Sequence, residues 1–396
     1  MTSFERSKLP DVGTTIFTVM SRRARELGAL NLGQGFPDYD IDPLLAAHLA
    51  RAVGAGYDQY APMEGVSALR ELIAARATAA YGTAVDPEGE VTITLGATEA
   101  LYSAIQAVVG AGDEVIVFDP VYDSYEPAVR LAGGRCVHLP LLPPGFRHDW
   151  ERVRAAITPR TRLLIINSPH NPACTVATAE DLGRLEQLAQ AHGLIVLSDE
   201  VYEHVVFGQR HASILARPGL RARGIAVFSF GKALHATGWR VGYAVAPPPL
   251  TRELRRVHQF NTFSIPHPLQ QAITGYLAER PQAMDDLAAF FQGKRDRLLA
   301  ALAGSAWRAP PAQGTYFQLL DYGGLAPQYA RLPDVEFADR LLTQAGVAAI
   351  PLSPFYLEPP PLTCVRLCVA KRDATLEEAA RRLRRFATGP LRAVEP

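Results

Sequence analysis

Three observations predict an α/β fold with a mostly parallel sheet flanked by helices, plus a smaller α+β domain. Short apolar runs alternate with helical stretches through the middle of the chain. Polar and glycine-containing turns follow directly on several of those runs. The C-terminal third changes character, and 396 residues are too many for one comfortable core. Near-continuous apolar strands alternating with helices are the pattern of a parallel sheet covered on both faces.

The elements follow in order. Val91–Leu95 reads as a strand and Glu99–Val109 as a helix. Glu114–Phe118, Leu163–Asn167, Ile195–Ser198, Ala226–Ser229 and Val241–Ala246 read as further strands, with Ala179–Ala191 a helix between two of them. Beyond residue 286, Lys294–Leu302 continues an amphipathic helix, and Gly314–Leu320 and Val365–Ala370 read as strands. Thr375 with Glu378 has the spacing of a capping box. The helix after it places Leu376, Ala379, Leu383 and Phe386 on one face, leaving Arg381, Arg382, Arg384 and Arg385 mostly to solvent. The expected division is 1–45 as an N-terminal arm and part of the small domain, 46–285 as the large domain, and 286–396 as the small domain.

Composition narrows the function. Hydrophobic residues make up 48% and charged residues 20%, with a formal net charge of zero. Nucleic acid and acidic membranes would call for a basic excess that is missing. Cys136, Cys174, Cys364 and Cys368 are scattered and suit buried thiols better than disulfides or zinc. The N-terminal MTSFERSKLPDVG has no apolar core of a signal peptide, and no apolar run approaches a membrane span. A cytoplasmic protein without a metal is the expectation.

Of 40 basic residues only four are lysines: Lys8, Lys232, Lys294 and Lys371. Lys8, Lys294 and Lys371 read as solvated. Lys232 stands at a strand end in FSFGKALH, with no carboxylate near it in sequence. Desolvation there lowers an amine from its ordinary value of about 10.4. A neutral amine is what Schiff-base chemistry needs. On Lys232 alone, that reading and a lysine capping a loop are level.

Its neighbours shift the balance. Ser229 and Arg240 flank it at offsets that suit a phosphate monoester. Gly96-Ala97-Thr98 opens a helix whose N–H groups can take the same anion. Asp199 ends an apolar strand, where it is either a turn cap or a carboxylate held against a ring nitrogen. Asn171 and Tyr202 can donate to a ring oxygen, and Tyr122 can stack on a ring face. His170 reads as a loop histidine and not as the base.

The runs SFGKALHATGWRVGY (229–243), SPHNP (168–172) and SDEVYEH (198–204) resemble fold-type I pyridoxal-phosphate aminotransferases of class I/II. NLGQGFPDYD (31–40), YDQYAPMEGVSALRELIA (57–74), FDPVYDSYEPA (118–128) and GVAAIPLSPF (346–355) match as well, so the resemblance runs nearly end to end. Within that family the segments look most like the kynurenine/glutamine aminotransferase subgroup, bacterial methionine aminotransferases included.

The resemblance implies the PLP-dependent transferase fold and a set of roles. Lys232 would carry the cofactor, pyridoxal 5′-phosphate, as a Schiff base and move the substrate Cα proton. Asp199 would pair with the ring nitrogen, Asn171 and Tyr202 with the ring oxygen, and Tyr122 would stack. Ala97, Thr98, Ser229 and Arg240 would hold the phosphate, with Tyr60 reaching it from the other subunit of a homodimer. Arg366 would bind the α-carboxylate, helped by Asn171 and the backbone at Gly35. Phe17, Tyr122 and Phe263, the last from the partner, match aromatic pocket positions of the subgroup. The expected reaction is ping-pong transfer from an amino acid to a 2-oxo acid. Without an evident second arginine, methionine, aromatic amino acids or glutamine are favoured over aspartate. Thr98 stands where kynurenine-preferring relatives carry an aromatic, which tells against kynurenine. The rivals are a β-lyase acting on sulfur-substituted amino acids and a non-catalytic cofactor-binding regulator.

Overall fold

The computed structural model describes residues 7–388. The first six residues, which begin the stretch read as lacking a signal peptide, lie outside the described residues, as does 389–396 at the end of the expected small domain. No helix among the described residues is long and apolar enough to cross a membrane.

Seven strands form the main sheet: β1 (Val91–Thr94), β2 (Glu114–Asp119), β3 (Arg135–Pro140), β4 (Thr161–Asn167), β5 (Ile195–Asp199), β6 (Gly224–Ser229) and β7 (Gly242–Val245), in spatial order β1-β7-β6-β5-β4-β2-β3. Strands β6, β5, β4, β2 and β3 pair in parallel, and β7 is antiparallel to both its neighbours. The sheet is therefore mostly parallel, as the apolar runs imply. Alternate residues of one strand enter different cores: Leu164 and Ile166 face one, Leu163 and Ile165 the other. Each such side chain buried contributes about 1.5–3 kcal/mol, which is why these strands read as unbroken apolar runs. Strand β3 went unpredicted. It lies at the sheet edge, only half-buried, and its Arg135 and His138 break the apolar pattern.

Helix α1 (Gly96–Val108) follows β1, α2 (Tyr125–Leu131) follows β2, and α3 (Ala179–His192) separates β4 from β5. Helix α3 starts at a capping box, in which Thr178 and Asp181 exchange side-chain and backbone hydrogen bonds. The short α4 (Phe230–Ala233) follows β6 at once, and α5 (Pro248–Asn261) packs on α1.

Beyond α6 (Leu287–Leu302) lies a second sheet of β8 (Phe317–Asp321), β9 (Ile350–Pro351) and β10 (Cys364–Cys368), antiparallel in the order β9-β10-β8. Helix α7 (Asp373–Thr388) buries Leu376, Ala379, Leu383 and Phe386 as its spacing predicts.

Two expectations fail here. Helix α7 begins at Asp373, so Thr375 lies inside the first turn; its hydroxyl donates to Asp38 at 2.7 Å, and the expected capping box does not form. Asp38, from the N-terminal segment, also accepts from the Arg372 N–H and so does the capping from a distance in sequence. Lys294 and Lys371 are not solvated. Lys294 donates to the Lys371 carbonyl at 2.6 Å and sits over the rings of Tyr39 and Phe290. Lys371 donates to the Phe36 carbonyl at 2.8 Å and is 2% exposed. Each ammonium is stripped of most water but keeps carbonyl and π partners, and Lys294 also pairs with Asp373 at 3.2 Å.

Candidate active site

The carboxyl ends of β1, β2, β4, β5 and β6 point to one edge of the sheet, the edge where open α/β sheets bind ligands. A cavity of about 200 Å³ opens there. Its walls include Ala97, Thr98, Tyr122, Asn171, Asp199, Tyr202, Ser229, Lys232 and Arg240, so nine of the residues singled out in the sequence converge on one space.

Lys232 stands on α4, one turn from the end of β6. Its amine lies 5.8 Å from the ring centre of Tyr202 and 5.7 Å from that of Tyr316. Burial pushes the amine down to about 8, and the nearby Arg240 and Arg366 act in the same direction. A useful fraction is therefore neutral near neutral pH, as a nucleophilic amine requires.

Asp199 ends β5 and is 4% exposed. Burial raises its carboxyl to about 6, against the pull of the Tyr125 hydroxyl, which donates to Oδ2 at 2.6 Å. Asn167 ties the neighbouring strand end together: its Nδ2 donates to the Asp199 carbonyl at 2.9 Å, and its Oδ1 accepts from the Asn171 N–H at 2.8 Å. Asn171 is thereby fixed at the cavity wall. His170 is buried and pushed down to about 3 by that burial; its Nδ1 accepts from the Ala173 N–H at 3.2 Å. It is a neutral structural histidine, in keeping with its reading as no base. Burial raises the Tyr122 hydroxyl to about 12, so it stays a neutral donor.

Neither guanidinium at the site, that of Arg240 or that of Arg366, has a carboxylate within ion-pair distance among the described residues. Arg240, in the left-handed backbone region at φ 54°, reaches only the Thr237 carbonyl at 3.2 Å and the Thr98 hydroxyl at 3.4 Å. It lies over the first turn of α1, where Gly96 at φ 71° is needed: a Cβ there would come within 2.6 Å of Arg240. Arg366, on β10, is 1% exposed and lies between the rings of Phe17 and Phe317, 5.0 and 3.8 Å away. It donates to Asn171 Oδ1 and, at 2.7 Å, to the Gly33 carbonyl, and its Nε has no partner. A buried cation without a counter-charge is costly. The site thus presents one anion position by Gly96–Thr98 and another by Asn171.

Gly35 does not face Arg366 with its carbonyl, which accepts from Tyr316 at 2.8 Å; Gly33 makes that contact instead. Gly35 matters sterically, since a Cβ would come within 2.6 Å of Phe317. Phe17 packs on Phe355 with ring centres 5.3 Å apart. Tyr60 and Phe263 lie outside the cavity wall. They meet edge-on at 5.3 Å on the surface, Tyr60 81% exposed.

Residues 28–383 match the aminotransferase class I and II family. The chain belongs to it. Methionine aminotransferase of Escherichia coli is 50% identical over 96% of this chain and 98% of its own. A probable N-succinyldiaminopimelate aminotransferase of Mycobacterium tuberculosis is 39% identical over 97% and 99%. A crystal structure of an Escherichia coli protein with a methionine aminotransferase function superposes with a TM-score of 0.93, covering 96% of this chain and 99% of that one.

This chain is therefore an enzyme that transfers amino groups, and the family to which it belongs is pyridoxal-phosphate dependent. The aminotransferase site also uses residues that sequence reasoning passed over. Tyr125 is the sole hydroxyl on Asp199 among the described residues, and its position three after Tyr122, at a helix start, was the available signal. Tyr316 and Gly33 come from segments remote in sequence, and only the fold brings them in.

Proposed function

We propose that this aminotransferase moves the amino group of methionine, an aromatic amino acid or glutamine to a 2-oxo acid, with pyridoxal 5′-phosphate held in the cavity around Lys232. The observation that carries the reading is the pair of uncompensated guanidiniums, Arg240 and Arg366, near a lysine whose amine is pushed down to about 8. The donor set fits the cofactor. Arg240, Ser229, Thr98 and the N–H groups opening α1 would take the phosphate, Asp199 the ring nitrogen, Asn171 and Tyr202 the ring oxygen, and Tyr122 one ring face.

When bound, the cofactor supplies an electrophilic carbon for the donor's amino group and a ring that accepts the electron pair released at Cα. The protein's part is binding and proton traffic. Arg366 takes the donor's α-carboxylate, bidentately where its free donors allow, and Asn171 steadies it. That fixes Cα beside Lys232, whose neutral amine takes the Cα proton and would hand it to the cofactor's electrophilic carbon, across the nitrogen from Cα. Water would then release the donor's skeleton as a 2-oxo acid, its amino group staying with the cofactor until a second oxo acid takes it by the reverse steps. Phe17 and Phe355 offer an apolar face, and among the described residues lining the cavity Arg240 is the one arginine; methionine, the substrate in the Escherichia coli relative's name, suits that face.

The exposed aromatics have a place in the same reading. Tyr60, Phe260 and Phe263, 81%, 86% and 46% exposed, form an edge suited to a second copy of the chain, whose site Tyr60 and Phe263 would complete. The enzyme then works as a cytoplasmic homodimer, each chain divided at about residues 45 and 285 into arm, large and small domains. A panel of amino donors with one oxo acid tests the substrate. Turnover with aspartate exceeding that with methionine would overturn the assignment. Borohydride reduction followed by peptide mapping should place the cofactor on Lys232 and nowhere else.

A further inference from the structure

Asp119 ends β2, three residues before Tyr122, and takes no part in the transfer described above. Its carboxylate is nearly inaccessible at 2% exposure. Oδ2 accepts the Leu357 N–H at 2.9 Å, and Oδ1 lies 2.7 Å from Nδ1 of His138 on β3. The backbone alongside is joined to the same remote segment. The Val121 N–H donates to the Phe355 carbonyl at 2.7 Å, the Tyr356 hydroxyl to the Leu141 carbonyl at 2.9 Å, and the Leu141 N–H to the Asp119 carbonyl at 2.6 Å. Residues 355–357 are thus clamped to the end of β2. Phe355 carries the clamp inward, since its ring packs on Phe17, and Phe17 lies under the Arg366 guanidinium.

We propose that Asp119, braced by His138, is a positioning residue for donor side-chain selection, holding Phe355–Leu357 so that the Phe17–Phe355 pair forms a fixed wall beside Arg366. The proposal rests on the reading that Arg366 binds the donor's α-carboxylate. With the carboxylate held there, a long side chain must lie along the nearby aromatic surface, and the wall's position decides which side chains fit. A donor with only a methyl group does not reach it. Asp119 acts through Leu357 and Phe355 and touches no substrate.

The brace depends on charge. His138 faces Asp119 on β2 and, from Nε2, Glu126 on α2 at 3.8 Å. The other titratable groups around it are Cys136 on its own strand, Arg130 beside Glu126, with Asp11 paired to that arginine, and Tyr356 on the clamped segment. Burial works against the imidazolium, but the Asp119 hydrogen bond and the Asp119 and Glu126 charges outweigh it and hold His138 above the ordinary histidine value. The brace therefore carries both charges at neutral pH and weakens as pH rises through that raised value.

Steady-state kinetics of the holoenzyme with methionine, phenylalanine and alanine as donors tests this. Asp119→Ala should raise KM for methionine and phenylalanine about tenfold, in line with loss of a hydrogen bond to a buried charge. The kcat/KM for alanine and the cofactor content should stay near wild type. Asp119→Asn keeps an oxygen for the Leu357 N–H and should restore most of the methionine KM. His138→Gln should reproduce part of the Asp119→Ala effect and flatten the rise of methionine KM at high pH. Equal losses for alanine and methionine in Asp119→Ala, or no difference between the Asn and Ala variants, would overturn the proposal. An Arg366→Lys enzyme with unchanged KM for every donor would instead overturn the reading beneath it.

Discussion

Asp199 should destabilise the cofactor-free protein, and removing its charge should show by how much. Its carboxyl is shifted from 3.8 to about 6, chiefly by burial. At 1.36 kcal/mol for each tenfold change in acid constant, that difference corresponds to roughly 3 kcal/mol. The sign follows from the direction. An acid with a raised folded-state value binds its proton more tightly folded than unfolded, so its cost is absent below about 3.8, grows from there to about 6, and is full above. Asp199→Asn keeps an oxygen for the Tyr125 hydroxyl but never ionises. Urea denaturation of the two cofactor-free proteins should show the variant more stable by roughly 3 kcal/mol at pH 7–8 and the two alike near pH 4. With cofactor bound the order should reverse, because the carboxylate then has a cationic partner. A stability difference that stays constant from pH 4 to pH 8 would refute the reasoning, since an uncharged packing effect behaves that way.

Other expectations concern the same site. Tyr125→Phe removes a hydrogen bond to a buried charge, a loss of roughly 1.5–3 kcal/mol. The Asp199 carboxyl should rise above about 6, and the acid limb of the single-turnover rate with methionine should move up by roughly one to two pH units; an unmoved limb counts against the contact. Lys232→Ala should lose multiple turnover yet keep measurable cofactor affinity in equilibrium dialysis, because the phosphate contacts survive. Mixing Lys232→Ala with Tyr60→Ala protein should regain part of the activity if Tyr60 serves the partner's site, and no regain after subunit exchange would place Tyr60 in its own chain's site.

The legible part of this protein is the part buried on both faces. Strands β4, β5 and β6 read as apolar runs because Leu163 and Ile165 enter one core and Leu164 and Ile166 the other. The site residues were visible for a related reason. Asn171, Asp199, Ser229 and Lys232 are polar residues placed immediately after such runs, and a parallel sheet sends the ends of its strands to one edge. Strand β3 lacked that signature because an edge strand keeps one side toward water.

What the sequence hid was which polar groups pair across long separations. Lys294, Lys371 and Arg366 carry similar local signals: a basic residue in or near an apolar element. Lys294 and Lys371 donate to carbonyls, those of Lys371 and Phe36, on segments 77 and 335 positions away, and Lys294 also reaches the Asp373 carboxylate at 3.2 Å. Arg366 spends Nη1 and Nη2 on Asn171 and the Gly33 carbonyl and still leaves Nε without a partner. Burial alone therefore does not mark a binding cation. The distinction lies in whether the fold leaves a buried nitrogen with no acceptor at all: neither lysine amine is left so, and Arg366 Nε is. The same criterion separates Arg240, with two long contacts, from Arg295, which reaches the Ala312 carbonyl at 2.6 Å and its neighbour Asp296 at 2.8 Å. Arg240 and Arg366 are consequently where an anion gains most on entering, both close enough to Lys232 to lower its amine.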